Sequence, residues 1–461
     1  MAQRDVLPSV RATPIPGLLV VGLEVHADQR GFFKENWQRA KMTGIGLPDF
    51  GPVQHNVSFN ARRGVTRGIH AEPWDKFVSV ATGRVFGAWV DLREGPTFGT
   101  SYTHELGPET AVFVPRGVGN GFQVLADATA YSYLVNAHWR AGPGYTELNL
   151  ADPTAAVGWP IRLDDPNVTV SDKDRVNPML ADVRPIAPAP MLLLGGTGQI
   201  GTALRREFPG IQAPGREVLD LADPASVAAF DFSGYDVVLN AAAHGSGEAD
   251  DRRSEAWATN ATAPALLVAQ AAEHGFTLVH YSTDRVFDGT RDRHDEDEPL
   301  SPLGLFGQSK AAGDLAVSAS RRHYLIRTSW VVGEGPNFVR TMQRLAGEGA
   351  SPRVVDDQVG RLTFADDLAR VTRHLIGTGQ PYGSYNVTNG GRPQSRAGFA
   401  AVVFESVGRA RSDVRTVSTA EYAAVDRLAP RPASSVLALE KLRATGFEPT
   451  DVLRGLAAYL A

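Results

Sequence analysis

Three glycines spaced three residues apart, Gly195, Gly198 and Gly201, stand between the apolar run Met191 to Leu194 and the helix-forming segment Thr202 to Phe208. A strand that passes at once into a helix needs residues that let the backbone turn tightly. Those residues also leave helix N-terminal amides open to a pyrophosphate. Glycine suits any such turn, and 47 glycines in the chain give chance matches, so the position between strand and helix is what gives the spacing meaning. On this reading Gly195, Gly198, Gln199, Ile200 and Gly201 contact a dinucleotide. A start of this kind commits the following chain to an α/β fold, a doubly wound parallel sheet with helices on both faces.

The alternation continues through DVVLNAAA, a helix around ATAPALLVAQAAEHG, the strand TLVHYSTD, a helix after SK, and the buried strand HYLIRTSWV. A second strand is expected to end near APGREVLDL, where Arg216 meets the adenosine ribose or its phosphate, or is a solvated charge, and Asp220 faces the adenine. Ala241 and Ala242 line the cofactor, Thr283 closes an apolar strand, and Lys310 opens a helix. Ligands of open sheets sit at the carboxyl ends of strands, so Thr283 and Lys310 should converge on the nicotinamide. A strand-end threonine is also an ordinary helix cap. The last ~100 residues are less regular and are expected to form a substrate-covering subdomain.

Upstream the texture differs. Short runs such as HNVSFN, TAVFVPRG and TAYSYLVNAHW alternate in period two and are punctuated by Gly or Pro, as in an all-β sandwich or barrel. Between the two regions, ADVRPIAPAP has three prolines, three alanines and no periodicity. The expected organisation is residues 1–180, a linker at 181–190, and 191–461. A length of 461 residues fits this, because single cores seldom grow past ~250 to 300 residues.

Composition narrows the partners. Lys plus Arg number 46 against 51 for Asp plus Glu, so the net charge of -5 gives no electrostatic case for nucleic acid. The absence of cysteine excludes disulfides, thiolate zinc sites and a cysteine nucleophile. No secretory signal pattern opens the sequence and no apolar run reaches ~18 residues, so a cytoplasmic protein without membrane contact is expected.

In the first region His70, Tyr133, Lys76 and Asp174 are types suited to moving protons beside a carbonyl: a base, an acid, a cation for an enolate oxygen and an orienting carboxylate. Each alone is more often structural. No H-x-H occurs among the 11 histidines, so no metal is expected.

Taken together, RGFFKENW, QHNVSFN, GVTRGIH, VDLREGPTFG and SDKD stand in the order found in dTDP-4-dehydrorhamnose 3,5-epimerases, metal-free cupin jelly rolls that this chain resembles over about residues 14 to 178. The resemblance implies that His70 removes the C3 and C5 protons acidified by a C4 ketone, with Asp174 holding its imidazole. It further implies that Tyr133 reprotonates from the opposite face and Lys76 stabilises the enolate. Arg30, Glu35, Gln54, Asn56 and Arg67 would hold the nucleotide, and a homodimer would form through the jelly roll. Two positions depart from the family. Asn120 replaces a histidine at the substrate, and His138-Trp139 replaces a tyrosine-bearing turn.

The second region, essentially all of 191 to 461, resembles the dTDP-4-dehydrorhamnose reductases of the extended short-chain dehydrogenase/reductase family. The blocks are GGTGQIG, VLNAAA, STDRVFDG, FGQSK, RTSWVVG, NFVRTM, DDQVGRLTF and RPASSVL. NADPH or NADH is the implied cofactor, Thr283, a tyrosine at 306 and Lys310 the implied catalytic set, and Trp330 an implied substrate contact. Position 306 is phenylalanine, and Arg285 stands where the family usually has a tyrosine. Losing a positioned general acid costs ~10²- to 10⁴-fold in rate. Two functions follow: a fused enzyme that epimerises and then reduces a dTDP-4-keto-6-deoxyhexose, or an active epimerase joined to a non-catalytic binding module.

Overall fold

The structure is a computed structural model and describes residues 9–138, 145–188, 190–245, 251–425 and 429–461; Trp139 lies outside them. Two compact units divide the chain, Met1–Pro188 with Thr378–Pro381, and Ala189–Gly377 with Tyr382–Ala461.

The first unit is two β-sheets packed face to face. One runs in the order Ser9–Ala12, Leu19–Gly22, Thr110–Val114, Lys76–Thr82, Thr129–Val135, Gln54–Asn60, and the other Thr146–Glu147, Thr66–Ala71, Val118–Val124, Val85–Asp91, Ser101–Leu106. All neighbouring pairs in both sheets are antiparallel. Side chains alternate along each strand, so Val78, Val80, Val112 and Tyr131 of the first sheet meet Trp89, Phe122 and Val124 of the second in one apolar layer. This is the cupin-like jelly roll. The stretch read as a linker is partly absorbed by it: Val183 is buried beside Leu180, and Ile186 pairs with Arg93. Apolar residues three apart, followed by prolines, find a place on the second sheet that periodicity could not announce.

In the second unit five parallel strands stand in the order Met191–Leu194, Val237–Asn240, Thr277–Thr283, His323–Thr328, Gly383–Asn386. Both faces are covered. Leu193, Leu239 and Ile326 pack under helices Gln199–Glu207 and Ala365–Gly377, while Leu192, Val238 and Leu325 pack against Ala263–His274 and Leu305–Ser318. The strand expected near residues 213–220 is reduced to one pairing, Leu192 with Gln212, because Pro214 and Gly215 send the chain into turns. A further core joins helices Phe338–Gly347, Arg396–Ser406 and Val452–Leu460. This subdomain begins before the last hundred residues, since the chain leaves it to form Ala365–Gly377 and the fifth strand and then returns.

Candidate functional site

In the first unit a cavity of about 750 Å³ opens among Arg67, His70, Lys76, Asn120, Tyr133 and Asp174, a size suited to a small-molecule ligand. His70 and Asn120 are direct partners across two strands, which sends both side chains to one face. Tyr131 and Tyr133 share a face by the two-residue repeat of their own strand. Gly68 lies at φ +112°, and a Cβ there would stand 2.6 Å from Gly121 Cα, so only glycine permits the approach of these strands. Asp174 is buried on the short helix Asp172–Arg175, which Ser171 caps by accepting from the Asp174 amide at 3.1 Å.

His70 Nε2 is 2.7 Å from Asp174 Oδ1. A carboxylate only accepts, so Nε2 carries the proton and Nδ1 keeps its lone pair. Lys76 is buried and forms an ion pair with Glu72; burial lowers its pKa while Glu72 opposes the shift. Glu72 also accepts from Trp74 Nε1 at 2.8 Å. Burial first, and then the Glu72 charge, raises the Tyr133 pKa against Arg67, keeping the phenol protonated at neutral pH. Asn120 is engaged, its Oδ1 accepting from the buried Tyr131 hydroxyl at 3.1 Å. Glu72 was missed in the sequence, where a glutamate four residues before a lysine looks like an ordinary surface pair.

Four expected nucleotide contacts lie outside the lining of this cavity. Arg30 pairs with Asp28 on the exposed hairpin of Val25–Asp28 and Gly31–Lys34, Glu35 pairs with Lys41 at 2.9 Å, and Gln54 donates to Asn56 at 2.9 Å on the edge strand.

In the second unit the glycine turn is held from two sides. Gly195 sits at φ +79° where a Cβ would stand 2.5 Å from the Ala242 nitrogen, and a Cβ on Gly201 would come 2.1 Å from Gly195 O. At Gly198, the N-cap of helix Gln199–Glu207, a Cβ would meet only Gly195 O, at 3.7 Å. That open space over a helix N-terminus fits the pyrophosphate of a dinucleotide. The Gln199 side chain is committed elsewhere, accepting from Gly333 N at 2.8 Å and donating to Pro336 O at 3.2 Å. Ile200 is half-buried against the core, which leaves its backbone for a ligand. Ala241 and Ala242 follow the strand end beside the turn. Arg216 is exposed, 3.8 Å from Asp220.

Lys310 does not open its helix; Gly304 caps it, and Lys310 lies in the second turn of Leu305–Ser318. Glycine gives no side-chain cap, so the start was not marked in the sequence. The buried Lys310 ammonium donates to Tyr281 O at 2.7 Å and meets His280 Nε2 at 3.2 Å. Burial lowers its pKa to about 8 against the pull of Asp314. Burial, helped by the Lys310 charge, holds His280 well below the usual imidazole range, and the Asn240 amide lies 3.1 Å from its Nδ1. Neither His280 nor the π-helical Asn260, which is 3.1 Å from Ser309 Oγ, was singled out in the sequence. Thr283 Oγ1 donates to Asp284 at 2.8 Å and accepts from Arg285 N, so the hydroxyl does serve as a cap. Phe306 lies one turn before Lys310, and the Arg285 guanidinium stands 5.5 Å from its ring centre, so the two departures in this region touch. Trp330 is half-buried at φ +44°.

Comparison with known proteins follows the two units. Residues 189–461 match the family model described as RmlD substrate binding domain, and residues 12–182 that described as dTDP-4-dehydrorhamnose 3,5-epimerase. The protein RmlC homolog of Streptococcus pyogenes is 49% identical over 181 residues, 38% of this chain and 90% of that protein. A dTDP-4-dehydrorhamnose reductase of Mycobacterium tuberculosis is 35% identical over 276 residues, 56% of this chain and 88% of that one. The crystal structure of the dTDP-4-dehydrorhamnose reductase of Bacillus anthracis in complex with NADP superposes with a TM-score of 0.55 at 31% identity, covering 59% of this chain and 98% of that one.

Proposed function

The chain belongs to the RmlD substrate binding domain family through residues 189–461 and to the dTDP-4-dehydrorhamnose 3,5-epimerase family through residues 12–182, and we propose that it carries out successive steps on one dTDP-sugar. It is a bifunctional enzyme of the dTDP-L-rhamnose type of pathway: 3,5-epimerisation of dTDP-4-keto-6-deoxyglucose, then reduction of the C4 ketone with NADPH or NADH. The observation that carries the first step is one cavity shared by the His70–Asp174 pair and Tyr133.

His70 Nδ1 takes the proton beside the ketone, and Asp174 stabilises the imidazolium that forms. Lys76, held by Glu72, offers its charge to the enolate oxygen, and the protonated Tyr133 returns a proton. In the second unit the glycine turn and Lys310 hold the cofactor, which supplies a hydride when bound. Lys310 keeps a positive charge near the reacting carbonyl, and Thr283 is the hydroxyl on that side. Phe306 has no proton to give, so the alkoxide is protonated by water or by Thr283.

The same phenylalanine favours a second reading, in which this unit binds cofactor and nucleotide sugar without reducing. Incubation with dTDP-4-keto-6-deoxyglucose in deuterated water, with and without NADPH, separates the two. Deuterium at C3 and C5 is expected in both conditions, and NADPH loss only if the second unit reduces. No deuterium at either carbon refutes the epimerase assignment.

The expected assembly is a homodimer through the first unit. Val57 and Phe59 on the edge strand and Phe32 and Phe33 on the hairpin are exposed, an apolar surface that a second copy would cover. Arg30 and Glu35, outside their own chain's cavity, would then serve the neighbour's. Among the described residues no helix is long and apolar enough to cross a membrane. A cytoplasmic location suits enzymes that draw on nucleotide sugars and NADPH.

A further inference from the structure

We propose that Arg285, Arg396 and Arg431, with Trp330 as a flat wall, form a receptor in the second unit for the diphosphate of a nucleotide sugar. The inference rests on the second unit taking such a sugar, and it names the group that is gripped.

Three separate parts of the chain bring these side chains together. Arg285 follows the carboxyl end of the strand Thr277–Thr283 and lies over Phe306. Arg396 begins the helix Arg396–Ser406, donates to Gln358 at 3.3 Å and stacks 4.3 Å above the Trp330 ring. Arg431 lies in a segment whose neighbours are fastened to both places: Ser434 N donates to Gly289 O, Val359 N to Ala433 O, and Ser435 N to Val359 O. Gly289 lies just after the turn that bears Arg285, and Val359 adjoins the Gln358 that holds Arg396. Close packing makes the site rigid, since a Cβ on Gly289 would meet Pro432 at 2.5 Å and one on Gly360 the Trp330 ring at 3.0 Å.

The cations outnumber their counter-charge. Among the described residues none of the three forms an ion pair with a carboxylate, and Arg431 Nε is buried without a hydrogen-bond partner. Burial lowers all three pKa values; at Arg396 burial first, and then the charges of Arg431 and Arg285, bring it down to about 9. Asp284 is the carboxylate whose charge opposes these shifts. Half-buried like charges are costly unless something neutralises them. Three guanidinium groups against one carboxylate leave two positive charges, the charge that a sugar diphosphate diester cancels. Arginine forks match phosphate oxygens in pairs, and the indole offers a face for a base or sugar ring.

Titration calorimetry of dTDP into the NADPH-loaded full chain is expected to find two sites per chain, one in each unit. In Arg396→Gln/Arg431→Gln one site should weaken by about 10- to 100-fold per arginine removed. The other dTDP site, NADPH binding and deuterium entry at C3 and C5 should stay as in the unaltered chain, which excludes general unfolding. Arg396→Lys/Arg431→Lys should recover part of the affinity, and thymidine, which has no phosphate, should bind the altered and unaltered chains alike. Two dTDP sites of unchanged affinity in the glutamine variant, or a single site in the unaltered chain, overturn the receptor. Two sites with no NADPH oxidation on the keto sugar overturn the reductase reading and leave the receptor standing.

Discussion

At position 70 the imidazole is free to act as a base because only one of its nitrogens is engaged. His70→Asn keeps a polar group but no base, and should slow deuterium entry at both sugar carbons by ~10²- to 10⁴-fold, measured by mass spectrometry. Asp174→Asn should lose nearly as much, because an amide can offer either a donor or an acceptor to Nε2 and no longer fixes the tautomer. Phe306→Tyr is expected to raise NADPH oxidation by ~10²-fold or more, since the new hydroxyl would lie one turn from Lys310; an unchanged rate favours the non-reducing module. Lys310 makes a pH prediction. Its folded pKa of about 8 is below the ordinary 10.5, so its contribution to stability is full above about 10.5 and lost as pH falls through about 8. In urea unfolding the stability of the unaltered chain relative to Lys310→Met should therefore rise between those limits, by on the order of 1–3 kcal/mol. His70, Tyr133 and Asp174 were legible one by one as proton-moving types, and the resemblance placed them together. Glu72 and His280 were not, because their roles come from burial against Lys76 and Lys310, and burial has no mark in a single residue.

At the level of strands and helices, glycine fixes both sites. Gly68→Ala should cost on the order of 3 kcal/mol in chemical unfolding, because both its backbone angle and the adjoining strand reject a side chain. Gly198→Val meets no such obstacle, so its effect should fall on NADPH affinity while the melting temperature stays near that of the unaltered chain. The strand-turn-helix start was readable because apolar periodicity and glycine spacing agree there. Near residue 214 they disagree: APGREVLDL has the composition of a strand ending, but Pro214 and Gly215 leave only the Gln212 pairing. Two-faced burial also explains why the parallel strands read as continuous apolar runs, with Leu192 and Leu193 facing opposite cores.

At the scale of the molecule, the division into an antiparallel and a parallel unit was visible as a change of texture, whereas the interleaving of the second unit's subdomain was not. A returning chain leaves no local signature, only the late meeting of Val339, Val403 and Val452 in one core. The apolar edge makes a prediction about assembly. Val57→Asp/Phe59→Asp should shift the full chain from dimer to monomer in sedimentation, and a monomer in the unaltered chain refutes the proposed interface. One further consequence follows from the commitment of Gln199. The residue that opens the helix Gln199–Glu207 is bonded to Gly333 and Pro336, Asn337 bonds Gly333, and Tyr459 bonds both Gly333 and Asn337. Helix Val452–Leu460 is thereby clamped to the lip of the dinucleotide turn, so Tyr459→Phe, a change remote in sequence from Gly195, Gly198 and Gly201, should loosen the grip on NADPH.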